Sequence, residues 1–96
     1  MKFLISWQIH EGKIEETLTM FSGMTAEQEQ SMMGEHVQMT GRWHDLVRGT
    51  GVAVVESDDA AAVSAYAMKW SGQMDLDIVP VIDDDEARAV GKNQSA

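Results

Sequence analysis

The segment from Glu35 to Ser57, EHVQMTGRWHDLVRGTGVAVVES, leaves few folds open. Its first half alternates strictly. His36, Gln38, Thr40, Arg42 and His44 fall on one parity, and Val37, Met39, Gly41 and Trp43 on the other. Successive side chains of a strand point to opposite faces, so this spacing predicts a β-strand with one polar and one apolar face. A short loop holding Arg48, Gly49, Thr50 and Gly51 separates it from a second β-type run, and the pair reads as a hairpin. Such a strand needs a helix layer on one side only. What meets its polar side is the functional question.

The flanking chain supplies that layer. Lys2 to His10 alternates in the same way, with Phe3, Ile5, Trp7 and Ile9 on one parity and Leu4, Ser6, Gln8 and His10 on the other. Beyond Gly12, Ile14, Thr17, Leu18 and Phe21 take helical spacing. Thr25 and Gln28 form a capping-box pattern that opens a second short helix to about Met33, and Gly34 closes it. Ser57 stands where an N-cap belongs, ahead of a helix whose apolar stripe is Val63, Tyr66, Ala67 and Trp70. Asp75 to Ile82 reads as the fourth strand, and Pro80 suits an edge, since it cannot donate to a ladder. Asp83 and Glu86 cap a last helix to about Val90.

The order β-α-β-β-α-β predicts an α+β fold, the ferredoxin-like sandwich. Its antiparallel sheet has strand order 4-1-3-2, with both helices on one face. Residues 1–90 are expected to form a single domain and residues 91–96 a frayed tail. Strand 3 is taken to run parallel to strand 1.

Composition narrows the function. Seven Lys and Arg against sixteen Asp and Glu give a net charge of −9, with no basic cluster to neutralise phosphates or to meet an anionic membrane. Nucleic-acid and membrane partners are therefore not expected. No segment reads as a secretory signal or a spanning helix, which points to a cytoplasmic protein. Without cysteine, disulfides, thiolate zinc sites and thiol catalysis are excluded. No residue pattern calls for a cofactor.

The run GTGVAVVESDDAAAVSAYAMKW, the strand DLDIVPVIDDDEA and the opening MKFLISWQI resemble a family of small bacterial proteins described only as a domain of unknown function. The resemblance covers roughly residues 1–90, and Gly51–Glu56, Trp70 and Val79-Pro80-Val81 are its most specific parts. It implies membership of the dimeric α/β-barrel superfamily, in which two ferredoxin-like sheets often meet face to face, so a homodimer is expected. It implies no activity and no catalytic residue. The superfamily includes cofactor-independent monooxygenases, isomerase-like enzymes and haem-handling members, and fold does not carry function.

Two constellations carry candidate chemistry. His10, His36 and Glu56 fall at one sheet edge if strands 1 and 3 run parallel, with the imidazoles about 9–10 Å apart, and would close on a metal ion. The plainer reading is three solvated residues at a sheet end. The second constellation is the polar face, where Gln8, His10, Gln38, Thr40, Arg42 and His44 would line a site for a small polar or aromatic ligand. A histidine there would serve as a base, and Arg42 would hold a carboxylate or oxyanion. Its plainer reading is a solvated face or a water-bridged dimer seam. Trp7, Trp43 and Trp70 fall on apolar parities and are expected in the core. Three functions follow: a ligand-binding module, a cofactor-independent enzyme of the monooxygenase or isomerase type, or a structural dimer with no ligand.

Overall fold

The computed structural model describes residues 1–95. Its elements are β1 (Lys2–Ile9), α1 (Ile14–Ser22), α2 (Ala26–Met33), β2 (Gln38–Asp45), β3 (Thr50–Glu56), α3 (Ala60–Met68), β4 (Met74–Val81) and α4 (Asp84–Ser95). The four strands form one sheet in the order β2-β3-β1-β4, which is the expected ferredoxin-like order read from its other edge. Every neighbouring pair is antiparallel. That corrects the expected direction of β3. A crossover through helices returns β2 parallel to β1, and the hairpin then reverses the chain, so β3 must oppose β1.

One sheet face carries α1, α2 and α3. Phe3, Ile5, Val37, Val55, Val63, Tyr66, Trp70 and Met74 form the buried core, with Phe21 of α1 and Met32 and Met33 of α2 packed against it. Local signals position these helices. Thr25 and Gln28 complete the reciprocal capping box of α2, and Asp83 and Glu86 bond each other's backbone N–H at the start of α4. The N-cap of α3 is Asp59 rather than Ser57: its carboxylate accepts from Ala61 and Ala62, while the Ser57 hydroxyl braces Asp59. Pro80 lies in β4, an edge strand, as its missing donor requires. The last helix continues to Ser95 where a frayed tail was expected, and Ala96 lies outside the described residues. Among the described residues no helix is long and apolar enough to cross a membrane.

A single bulge in β2 decides which side chains the helices cover. Met39 pairs with Val55 but Gly41 with Val54, so Thr40 is an extra residue with no partner of its own. Its hydroxyl donates to the Val54 carbonyl at 3.1 Å. Beyond Thr40 the parity inverts. Arg42 pairs with buried Ala53, under the helices, while Trp43 pairs with Val52 on the open face and is 62% exposed. Trp43 is thus not a core residue, contrary to the unbroken alternation.

Glycines make room on both faces. Trp7, Gly51 and His44 stand in one row across β1, β3 and β2 on the covered face. A Cβ at Gly51 would collide with the Trp7 ring, so its absence lets the indole cross the strand toward His44. On the open face Trp43 likewise lies over Gly41. Gly51→Ala is therefore expected to lower stability by about 1–3 kcal/mol, as overpacking does. Gly72→Ala, where an added Cβ meets nothing within 4 Å, should stay within about 0.5 kcal/mol. Urea denaturation of both variants checks the contrast, and equal midpoints would contradict the packing of Trp7 over Gly51.

Candidate functional site

The inverted half of β2 places its polar side chains beside a cavity of about 70 Å³, between the covered sheet face and helices α1 and α3. Its walls are mainly apolar, built by Ile5, Trp7, Phe21, Ala53, Trp70 and Met74; Thr17, Arg42, His44 and Tyr66 are among its polar lining, and Asp45 and Thr50 complete it at the hairpin end. That combination of an apolar concavity with a few polar groups is the usual composition of a small-molecule site.

Arg42 is held from two sides. Its guanidinium forms a two-pronged pair with the Glu29 carboxylate of α2, Nη1 to Oε1 and Nη2 to Oε2, the latter at 2.9 Å. Both side chains are largely withdrawn from solvent, 18% and 14% exposed. The Phe21 ring lies under the guanidinium, 4.7 Å from centroid to Cζ. Hydrogen bonding to Glu29 raises the Arg42 pKa beyond its already high value, so its charge is permanent.

His44 stands at the cavity rim. Its ring meets the Trp7 indole edge-on at 5.6 Å and the Phe21 ring at 5.2 Å. Desolvation, with the nearby charge of Arg42, lowers its pKa from the ordinary value, so the imidazole is neutral at pH 7. Tyr66 is 4% exposed, and burial raises its pKa; it stays protonated. Thr17 of α1 is also 4% exposed, and its hydroxyl oxygen is the buried side-chain polar atom without a partner among the described residues. An unsatisfied buried hydroxyl costs free energy, which makes it a marker for a missing partner.

The expected polar face does not assemble as one site. Arg42 and His44 enter the cavity, but the other four residues lie elsewhere. Gln8 is exposed and donates to the Arg48 carbonyl at 3.0 Å, bracing the hairpin loop. His10 bonds Asp75 at 3.0 Å at the end of β1, Gln38 is exposed opposite Glu56, and Thr40 is the bulge. The metal constellation is not brought together either. Glu56 pairs with Lys2, and β1 carries His10 to the opposite sheet edge, eight residues and about 26 Å away. His36 stays near Asp58, at 3.9 Å, on the Glu56 side. Among the described residues no group of three or more His, Asp or Glu is placed to hold a metal ion.

Thr17, Glu29 and Tyr66 are not among the site residues expected from the sequence, where Thr17 and Tyr66 count only as members of apolar helix stripes. Thr17 left a trace, as the one polar member of the apolar stripe of α1. Glu29 left none, because it sits in a short, mostly polar helix that predicts a solvated face.

A model of the family described as Domain of unknown function (DUF3303) matches residues 1–95, and the chain belongs to that family. No curated protein matches it. Among solved structures the chain is similar to an antibiotic biosynthesis monooxygenase, at 14% identity and a TM-score of 0.51, covering 86% of this chain and 100% of that one. It is also similar to the L-rhamnose mutarotase FA22100 from Formosa agariphila, at 10% identity and a TM-score of 0.49, covering 86% and 94%. An uncharacterized NIPSNAP domain protein from Burkholderia xenovorans stands at 12% identity and 0.49, covering 88% and 97%. At 14% identity the likeness to the monooxygenase shows a shared ferredoxin-like fold and nothing of activity.

Two outcomes follow from the site's electrostatics. The His44 pKa is lower in the folded than in the unfolded chain, so the unfolded state takes up its proton first as pH falls. That contribution to stability is complete above the unfolded value and is lost as pH drops below about 6.5. His44→Gln should flatten the fall in stability between about pH 7 and pH 5 relative to wild type, read by denaturant melts at each pH. An unchanged slope would place the imidazole in bulk solvent. Thr17→Val should raise stability by about 1 kcal/mol, because it removes an unsatisfied hydroxyl at constant shape. A loss of that size would mean the hydroxyl is bonded.

Proposed function

We propose that this member of the DUF3303 family is a small-molecule-binding domain that works as a homodimer, with its ligand in the cavity between sheet and helices. The convergence of Thr17, Arg42, His44 and Tyr66 on mainly apolar walls carries this reading. The apolar walls supply binding free energy, and the polar groups fix orientation. The site differs from the polar outer face expected of the alternation, and of the residues proposed there Arg42 and His44 remain in it.

The open sheet face is the dimerisation surface in this reading. Leu4, Val52, Val54, Val79 and Trp43 form an apolar band across all four strands, with Trp43 62%, Val79 48% and Val52 37% exposed. Monomeric proteins rarely leave a contiguous apolar patch uncovered. A second sheet face laid on this one would bury it.

One observation favours an enzyme as second reading. His44 is a neutral base at the mouth of a concave site, which suits proton abstraction from a bound substrate. Binding itself needs no base. His44→Gln therefore separates the two: it would abolish turnover and leave retention of the ligand largely intact.

Native mass spectrometry of gently purified protein tests the main reading. The expected result is a dimer carrying a reproducible extra mass, absent from Ala53→Leu, whose larger side chain fills the cavity wall. A bare protein whose cavity resonances also fail to respond to a fragment library would overturn it. For the dimer, Trp43→Asp should shift the sedimentation coefficient of a micromolar sample from dimer to monomer. A wild-type chain that sediments as a monomer at that concentration contradicts the assembly.

A further inference from the structure

The cavity wall carries a permanent positive charge yet does not offer it. Both terminal nitrogens of Arg42 face the Glu29 carboxylate, so the fork that would grip a ligand carboxylate is already filled. Phe21 covers one face of the guanidinium. An anionic ligand would have to expel Glu29 and strand its carboxylate where only 14% of that side chain meets solvent. The net charge of −9 adds a repulsive field against any anion. A cation fares no better on these walls. The nearest other carboxylate, Asp45 at the rim, accepts from the Arg48 backbone N–H at 3.2 Å, and apolar walls give an ammonium no replacement for its hydration.

Building on the cavity reading above, we infer that the site selects uncharged, mainly apolar molecules about one ring in size, bearing one or two hydrogen-bonding atoms. Glu29, which is not itself on the wall, is the positioning residue that sets this selectivity by occupying Arg42. The remaining polar groups match such a ligand. Thr17 and Tyr66 carry hydroxyls, and the His44 imidazole accepts or donates one hydrogen bond. A cavity of about 70 Å³, open at the His44 rim, limits the ligand to one ring at most, with part of it standing at the mouth.

The test compares phenol, benzoate and benzylammonium on the full chain at neutral pH. Affinities are read from chemical-shift changes of Trp7, His44 and Tyr66. Wild type is expected to bind phenol at least about tenfold more tightly than either ion, a difference of roughly 1.4 kcal/mol. Glu29→Gln should reverse the order of phenol and benzoate, because the freed guanidinium then takes the carboxylate. Arg42→Gln combined with Glu29→Gln should restore the preference for phenol. A merely structural role for Glu29 would weaken both ligands together and leave their order unchanged.

Each remaining outcome is decisive. If wild type binds benzoate as well as phenol, selection against charge is overturned while the cavity reading stands. If none of the three perturbs the cavity resonances, both fall. If Glu29→Gln keeps the wild-type order, or the double variant gains benzoate, Glu29 does not set the selectivity. The wild-type ratio alone decides the charge question even if a variant fails to fold.

Discussion

The arrangement of the site depends on one extra residue. Thr40 sits in β2 without a cross-strand partner, and the strand beyond it presents the opposite parity. Without the bulge, Arg42 and His44 would face outward and Trp43 would press into the helix layer. With it, Arg42 goes under the helices, His44 reaches the cavity rim while staying exposed, and Trp43 goes to the open face. A one-residue change of register inverts every side chain that follows, and here it affects the last few residues of an edge strand. The cost is small for the sheet, since Thr40 bonds the Val54 carbonyl in compensation.

Moving Arg42 inward creates an obligation that α2 discharges. A guanidinium withdrawn from water needs a carboxylate with matching geometry, and removing either partner of such a pair typically costs several kcal/mol. Glu29 supplies it. The same pair helps to hold α2, which contains no fully buried residue and contributes only Met32 and Met33 to the core periphery. Its other anchor is also polar: the Lys69 ammonium donates to the Met32 carbonyl at 2.6 Å. Position of α2, neutralisation of Arg42 and electrical character of the cavity are thus one interaction seen from three sides.

Much of the architecture was legible because it rests on local rules. Alternation located β1 and the hairpin, the Thr25–Gln28 box located α2, and Pro80 marked β4 as an edge strand. Strand order followed from element order. The rest was missed for three different reasons. The direction of β3 was available from connectivity and was misassigned, which brought His10 to the wrong edge. The bulge left no signature, since Met39-Thr40-Gly41 continues the alternation, and the inversion shows only in the pairing with β3. Glu29 was illegible in a third way: its partner is 13 residues distant, and a Glu in a polar helix ordinarily means a solvated face.

Nuclear Overhauser contacts from the His44 and Trp43 rings test the central claim most directly, for they report which face each side of β2 presents. The account predicts cross-peaks from His44 ring protons to Trp7 and Phe21, and none from Trp43 to Phe21 or Tyr66. Cross-peaks from Trp43 to Phe21, with His44 showing none, would mean an unbroken strand. The cavity would then lose both Arg42 and His44.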